Sequence, residues 1–506
     1  MATPTSSSAV VICGAGAAGL TLAVDLARRG VDFRLIDKTP AAFVGSRGKG
    51  LQPRSLEVFE DLGVLDRIAV QARPYPPIRT WREDGGHDDA LLAEHRDPTP
   101  DEPYAGTMML PQFLTEAALR ARLAELGHAP MFGHELIGFE QDADGVTARL
   151  ATPRGEETWR ARWLVGADGG RSLVRHALDI GFPGKTLEVR ALVADLTLDG
   201  LTRDAWHRWM GGEEGQISLC PLAGTDLFQL QAALLQDGEP DLSAKGLAAM
   251  IARRTGRHDL VVREVLWASA YGMNARLADR YRVGRVLLAG DAAHIHPPTG
   301  GQGLNTGLQD GYNLGWKLAA VLAGAPESLI DTYETERRAI AAGVLGLSVG
   351  LLQAAQARAE MRRGRETQQL DLGYEGSPLA VERRPAPGRL QAGDRAPDAP
   401  CHRASGQATR LFEQFRGPHW TLLAYEVAAS AVRAVTPRPG VEIHTVGPAG
   451  ELIDTEGHLR SAYDLTPGTW ILVRPDGYVG LMAGQGDEVA IETYLDQVTA
   501  KVRIPT

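Results

Sequence analysis

Val10-Val11-Ile12-Cys13-Gly14-Ala15-Gly16-Ala17-Ala18-Gly19-Leu20 is the stretch on which the fold turns. A short apolar run, the pattern of a buried strand, leads straight into three glycines spaced G-x-G-x-x-G. The next segment, Ala17 to Arg29, puts Leu20, Val24 and Ala27 on one helical face and is stopped by Gly30. Phe33-Arg34-Leu35-Ile36-Asp37 then reads as a second strand. The chain therefore opens on a β-α-β unit. In such a unit the first glycine permits the tight turn, the second lets the backbone approach a diphosphate, and the third lets helix and strand close up. The helix start offers unpaired N–H groups and a partial positive charge to phosphate. Asp37, roughly twenty residues beyond the glycines, is placed for ribose hydroxyls. Singly, the glycines also suit a plain turn and Asp37 an ordinary strand end. Together, Gly14, Gly16, Gly19 and Asp37 point to a bound dinucleotide.

The remaining length is ample. At 506 residues, 44% of them hydrophobic, the chain suggests about three globular domains. A net charge of −10 argues against nucleic acid or an anionic membrane as partner, since both call for a basic face. The cluster Arg362-Arg363-Gly364-Arg365 reads as a solvated helix end. Cys13, Cys220 and Cys401 are far apart, with no CxxC and no metal spacing, so reduced thiols in a cytoplasmic protein without a metal site are expected. Met1 to Ser8 lacks the build of a signal peptide, and no apolar run approaches the roughly 20 residues that span a bilayer.

Further along, Pro111 opens a helix striped by Leu119, Leu123 and Leu126. Trp163 to Asp168 reads as a strand entering a polar turn. From about Leu187 to Tyr271, alternating runs such as Gln216 to Cys220 and Leu227 to Gln231 predict an antiparallel sheet. Val286 to Asp291 returns to a buried strand, and a helical region runs from about Leu304 to Ala359, broken at Gly324 and Pro326. The proline-rich passage Arg383 to Pro400 reads as a linker, followed by a separate domain with strands at Trp420 to Tyr425, Val441 to Val446 and Thr469 to Val473.

The second glycine cluster narrows the choice of dinucleotide. Gly290-Asp291-Ala292-Ala293-His294 ends an apolar strand, and Pro297-Pro298-Thr299-Gly300-Gly301-Gln302-Gly303-Leu304-Asn305 enters a helix. A flavin gains negative charge at N1 and its C2 carbonyl on reduction. Backbone amides at Gly301 to Asn305 can meet that charge without a buried counter-ion. Asp291 is placed for a ribityl or diphosphate-linked hydroxyl. A glycine-rich turn before a buried helix is the plainer reading of the same residues.

These stretches together resemble the FAD-dependent aromatic hydroxylases, the single-component flavoprotein monooxygenases typified by para-hydroxybenzoate hydroxylase. Val165 to Arg175, with Asp168, is similar to that family's DG motif. Gly290-Asp291 with Pro297 to Asn305 is similar to its GD motif and flavin loop. Ser46 to Glu57, with Arg47, resembles its mobile-flavin segment, and Pro111-Gln112-Phe113-Leu114 the segment whose glutamine reaches the cofactor. Leu390 to Pro397 resembles the entry to the thioredoxin-like C-terminal domain of the aromatic polyketide hydroxylases and rifampicin monooxygenases.

The resemblance implies an α/β architecture of three units. A Rossmann-type FAD-binding domain takes residues 1–73, 104–186 and 272–385. An inserted antiparallel-sheet substrate domain takes 74–103 and 187–271, and a thioredoxin-like α/β domain takes 395–506. It implies tight, non-covalent FAD held also by Ala17, Ala18, Lys38, Arg47, Gln112, Leu136, Asp168, Pro298 and Leu304. NAD(P)H, with NADPH favoured, would visit transiently, because no second G-x-G-x-x-G is present. O₂ would add at flavin C4a, and the hydroperoxide would hydroxylate an aromatic ring. Monomer and homodimer stay equally open. The flavin itself carries the chemistry, and no side chain is assigned as catalytic; His294 and His296 read as structural.

For the substrate, Leu219 to Ala223 carries no charge, and Pro221 and Phe228, with Pro298, are the candidate contacts. A large neutral aromatic, a polyketide or polyphenol, is expected. The face carrying Pro221 and Phe228 could equally be sheet core. The rival readings are a Baeyer–Villiger or ring-opening oxygenation of a related ketone or quinone, and a flavin-bearing protein that sequesters a ligand without turnover.

Overall fold

The first apolar run becomes strand β1 (Ser6–Cys13), with Val10, Val11 and Ile12 wholly buried. Helix α1 (Ala17–Arg28) and strand β2 (Phe33–Asp37) complete the expected β-α-β unit. The computed structural model describes residues 6–93, 96–235, 238–356 and 363–500. Met1 to Thr5, Arg362 and Ala359 lie outside them. The helix expected after Pro111 is α2 (Gln112–Glu125), and strand β3 (Gly155–Gly166) lies parallel to β1, with Val10 opposite Trp163. On the far side of β3 the strand Val286–Leu288 is parallel again. This parallel core, buried on both faces, is why these strands read as continuous apolar runs.

The second sheet has eight strands, among them β4 (Gly184–Asp199), β5 (Trp206–Trp209), β6 (Ile217–Pro221) and β7 (Phe228–Leu234). Helix α3 (Ala244–Thr255) backs it, and β8 (Val261–Leu277) pairs antiparallel with β4. Ile78–Trp81 and His87–Ala90 extend its far edge. Side chains alternate across a sheet, so each strand serves two faces. Leu196, Leu219, Phe228 and Leu230 pack with Leu247 and Ile251 of α3. Asp195, Gln229 and Cys220 are paired across the strands and turn the other way, toward the first domain.

The helical region splits as the glycine and proline predict, into α4 (Gly303–Leu322), a short turn Glu327–Ile330 and α5 (Asp331–Gln356). Helices α1 and α4 touch through backbone. A Cβ on Gly311 would stand 2.5 Å from Ala18 O, and one on Gly315 2.3 Å from Asp25 Oδ2.

The C-terminal unit is a mixed sheet. β9 (Trp420–Tyr425) and β10 (Val441–Val446) are parallel, β11 (Thr469–Val473) runs antiparallel beside β9, and β12 (Val479–Ala483) runs antiparallel beside β11. The proline-rich passage is not a free linker. Val381–Glu382 already pairs with β12, Gly393 N–H donates to Val479 O, and Pro400–Arg403 is a strand of the same sheet. Nor is the unit separate in its packing. Trp316 of α4 meets Trp420 edge-on at 5.2 Å. Beside them Glu336 of α5, fully buried, accepts from Lys317 Nζ at 2.6 Å and from Arg474 Nη1 at 2.7 Å.

Candidate functional site

Gly14 holds φ at +108°, and a Cβ there would lie 2.2 Å from Ala167 O. Only glycine fits both demands. Gly19 answers to space alone: its Cβ would fall 2.0 Å from Gly14 O. Gly16 caps α1 with no side-chain acceptor of its own, so the first amides of that helix, at Ala17 and Ala18, depend on acceptors from elsewhere. Asp37 closes the turn from the other side. Its Oδ2 accepts from Ala15 N–H at 2.8 Å and its Oδ1 from Thr39 N–H at 2.9 Å. The acid therefore shapes the turn. Lys38 is exposed beside it, and Leu136 is buried in the neighbouring core.

Sequence reasoning missed Glu116. It rises from α2 with Gln112 Nε2 donating to its Oε1 at 2.8 Å, and this oxygen would lie 3.9 Å from a Cβ on Gly16. Burial pushes its carboxyl up to about 6, against the pull of Gln112 and the Ala17 amide. The four-residue spacing from Gln112, one turn of helix, was the only available signal.

The second cluster is held by side-chain amides. Asn305 is wholly buried; its Oδ1 accepts from Gln52 N–H at 2.9 Å, and its Nδ2 donates to Gly50 O at 2.8 Å and Gly301 O at 2.7 Å. Its side chain is thus committed to tying the segment 50–52 to the flavin loop. Helix α4, like α1, begins without a side-chain cap, so backbone amides near Gly303 and Leu304 are what it offers a ligand. Leu304 faces Gly48, whose N–H donates to Gln112 Oε1 at 3.3 Å. Pro298 is exposed. Arg47 is exposed, with its guanidinium over Phe43 at 5.4 Å, and its charge acts on Asp291 across the cleft. Asp291 reaches water but is walled by protein, and that desolvation pushes its carboxyl up.

His294 and His296 form one chain of hydrogen bonds. Asp310 takes His294 Nε2 at 2.6 Å and Arg337 Nε at 2.8 Å, and His294 Nδ1 meets His296 Nε2 at 2.9 Å. Burial and His294 push His296 down to about 3, so its ring is neutral. The Nδ1 of His296 is buried with no hydrogen-bond partner among the described residues.

The sheet face toward this cleft is not the face expected. Pro221 and Phe228 are paired on the side backed by α3, and Phe228 lies in the core cluster there. The substrate assignment of both residues is corrected: a one-residue step in strand register exchanges the faces. The cleft face carries Cys220, Gln229 and Asp195, with Trp206, Tyr75 and Met109 clustered around Cys220. The absence of charge on β6 is also only half the picture. Lys49 crosses from the first domain and donates from Nζ to Gln229 Oε1 at 2.7 Å, with Trp206 4.2 Å below it. Gln229 Nε2 donates to Ser46 O, which pins the segment 46–49 to the sheet. Neither Asp195 oxygen meets a partner in hydrogen-bond geometry, although Ser46 and Lys49 pull its carboxyl down; burial outweighs them and pushes it up to about 6. Arg363, read as a solvated helix end, instead lies half-buried with its guanidinium 5.7 Å over Tyr75.

The residues present fit FAD. Asp168 Oδ2 accepts from Val174 N–H at 3.2 Å, while its Oδ1 is buried with no partner among the described residues. Arg175 ties this turn to the second motif by donating to Ala292 O at 2.9 Å. Among the described residues no group of acids, histidines and cysteines could hold a metal, and no helix is long and apolar enough to cross a membrane.

Comparison with known proteins agrees with this geometry. Residues 7–348 match the FAD binding domain family, and 390–501 match the aromatic-ring hydroxylase C-terminal family. A flavin-dependent monooxygenase of Mycobacteroides abscessus is 42% identical over 95% of this chain and 98% of its own. The 6-methylpretetramide 4-monooxygenase of Streptomyces rimosus is 33% identical over 98% and 94%. The solved ternary complex of aklavinone-11 hydroxylase with FAD and aklavinone superposes with a TM-score of 0.83 at 31% identity, over 98% of this chain and 99% of that one.

Proposed function

We propose, from the premise that this chain belongs to the FAD-binding aromatic-ring hydroxylases and is an FAD-dependent monooxygenase, that it uses NADPH to place one atom of O₂ on a polycyclic aromatic of polyketide type. The observation that supports the substrate class is the aromatic and apolar lining of the sheet face turned toward the first domain, where Trp206, Tyr75 and Met109 gather around Cys220. When bound, the flavin takes electrons from the nicotinamide and activates oxygen. The chain's own residues do the rest. The α1 and α4 starts hold the diphosphate and the ring's polar edge. Arg47, on an exposed loop among Gly45, Gly48 and Gly50, is free to follow the ring as it meets the nicotinamide. The Lys49–Gln229–Ser46 ties hold segment 46–49 against the second sheet and so help to screen the flavin from water, which would otherwise divert the oxygen to peroxide.

The test is incubation of the flavin-loaded protein with NADPH, ¹⁸O₂ and either aklavinone or anhydrotetracycline, the substrates named for relatives. One ¹⁸O in a product of unchanged ring connectivity supports the reading. Oxygen inserted into the carbon skeleton replaces it with a Baeyer–Villiger reaction. Binding without NADPH oxidation would reduce the protein to a ligand carrier.

A further inference from the structure

Resting on the flavin of that reading, we infer that His294 and His296 together take up one proton when the bound flavin is reduced, and give it back when the flavin is reoxidised. The pair ends in an unsatisfied atom. His296 Nδ1 is buried with no partner among the described residues. The same imidazole lies against the flavin loop: a Cβ on Gly303, the first residue of α4, would stand 3.9 Å from its Cδ2. Behind it His296 Nε2 meets His294 Nδ1 at 2.9 Å, and His294 Nε2 meets Asp310 Oδ2 at 2.6 Å. An uncharged pair of imidazoles has two N–H groups for four nitrogens. The contact with the Asp310 carboxylate uses one and the contact between the imidazoles uses the other, which leaves Nδ1 of His296 bare. One further proton turns that atom into a donor, makes the pair a cation and leaves the other contacts in place.

Charge decides when the proton arrives. Asp310 is already matched, because Arg337 Nε donates to its Oδ1 at 2.8 Å and Gly290 N–H to its Oδ2 at 3.0 Å. A proton on the pair is a second cation for one carboxylate, with His294 and Asp310 wholly buried. Burial and His294 hold His296 down to about 3 in the same sense. The other ionisable groups around the pair bring no free anion. Tyr281, stacked on His294 at 6.3 Å, is kept a phenol by burial and by Asp310, with Arg337, Arg338 and Glu334 also acting on it. Tyr333 donates to Leu288 O at 2.8 Å. Asp291 is pushed up by burial and feels Arg47 as well as His294. The pair therefore stays uncharged beside an oxidised, uncharged flavin. Reduction supplies the missing negative charge at N1 and the C2 carbonyl. The nicotinamide's hydride carries two electrons and one proton to the flavin, and water gives the further proton to the pair.

The test is the midpoint potential of the FAD-loaded protein, poised with dithionite against reference dyes between about pH 6 and about pH 8, where histidine titrates. Each proton taken per two electrons moves the potential by about 30 mV for a tenfold change in proton concentration. Two protons, about 60 mV, are expected for the unsubstituted chain, and one, about 30 mV, for His294→Gln with His296→Gln. In ¹⁵N spectra of histidine-labelled protein loaded with FAD, reduction should move the signals of the pair toward imidazolium. A one-proton slope in the unsubstituted chain, a two-proton slope surviving in the double variant, or histidine signals unmoved by reduction would each overturn the inference. If the double variant loses FAD, the nitrogen spectra of the unsubstituted chain decide. Neither readout uses nicotinamide, oxygen or an aromatic substrate. A two-proton slope in protein that oxygenates nothing sinks the oxygenase reading alone, and a one-proton slope in an active oxygenase sinks this one alone.

Discussion

At the scale of single residues, the parts legible in the sequence are those whose demands are local. Gly14 is required by its own φ and by one neighbouring carbonyl. Gly14→Ala should cost about 1–3 kcal/mol of strain and leave protein that purifies largely colourless, measured as flavin absorbance per chain and by thermal unfolding. Lys49 and Gln229 were not legible as a pair, because 180 residues separate them and only the assembled sheet brings them together. Glu116 yields a pH prediction. Folding raises this carboxyl to about 6, above the usual value near 4.3, so its ionisation costs stability. The cost is absent at low pH, grows as pH rises past about 4.3 and is complete above about 6. The ionised form also stands beside Gly16, where a diphosphate is to lie. FAD affinity should therefore tighten several-fold as pH is lowered from about 7.5 to about 5.5, and Glu116→Gln should flatten the dependence. A flavin titration followed by fluorescence quenching at several pH values decides it; an unchanged slope in the variant would refute the assignment.

At the scale of elements, strands and helices were readable where one period dominated, as in β1, α1 and α4. The choice of face on β6 and β7 was not, because both faces of these strands are buried and hydropathy does not rank two buried faces. The helix pair α1 and α4 gives a direct check. Gly311→Leu would drive a side chain into Ala18 O and Leu22, so the helices must separate. A loss of about 1–3 kcal/mol in denaturant unfolding is expected, with weaker flavin retention, because α1 carries the diphosphate turn. The same substitution at Gly343, which has open space around it, should be nearly silent.

At the scale of the whole molecule, three units were readable from composition, but their attachment was not. Glu336, Lys317, Arg474 and Asp476 are scattered over 160 residues of sequence and carry no motif, yet all are buried together. Arg474 and Lys317 hold the Glu336 carboxyl well below its usual range. A depressed carboxyl stabilises the fold above its ordinary pKa near 4.3 and loses that contribution as pH falls further. Glu336→Gln should therefore cost about 3–5 kcal/mol near neutral pH and flatten the acid limb of stability, read from denaturant midpoints by tryptophan fluorescence. Equal acid sensitivity in the variant would count against it. The proline-rich arm, laid along the last sheet, has a practical meaning. A gene divided there would not yield two working halves: the nucleotide-binding piece would surface the indole of Trp316 and leave Glu336 without Arg474. Fusion tags and truncations belong at the outer termini, not at the passage that composition alone marks as a seam.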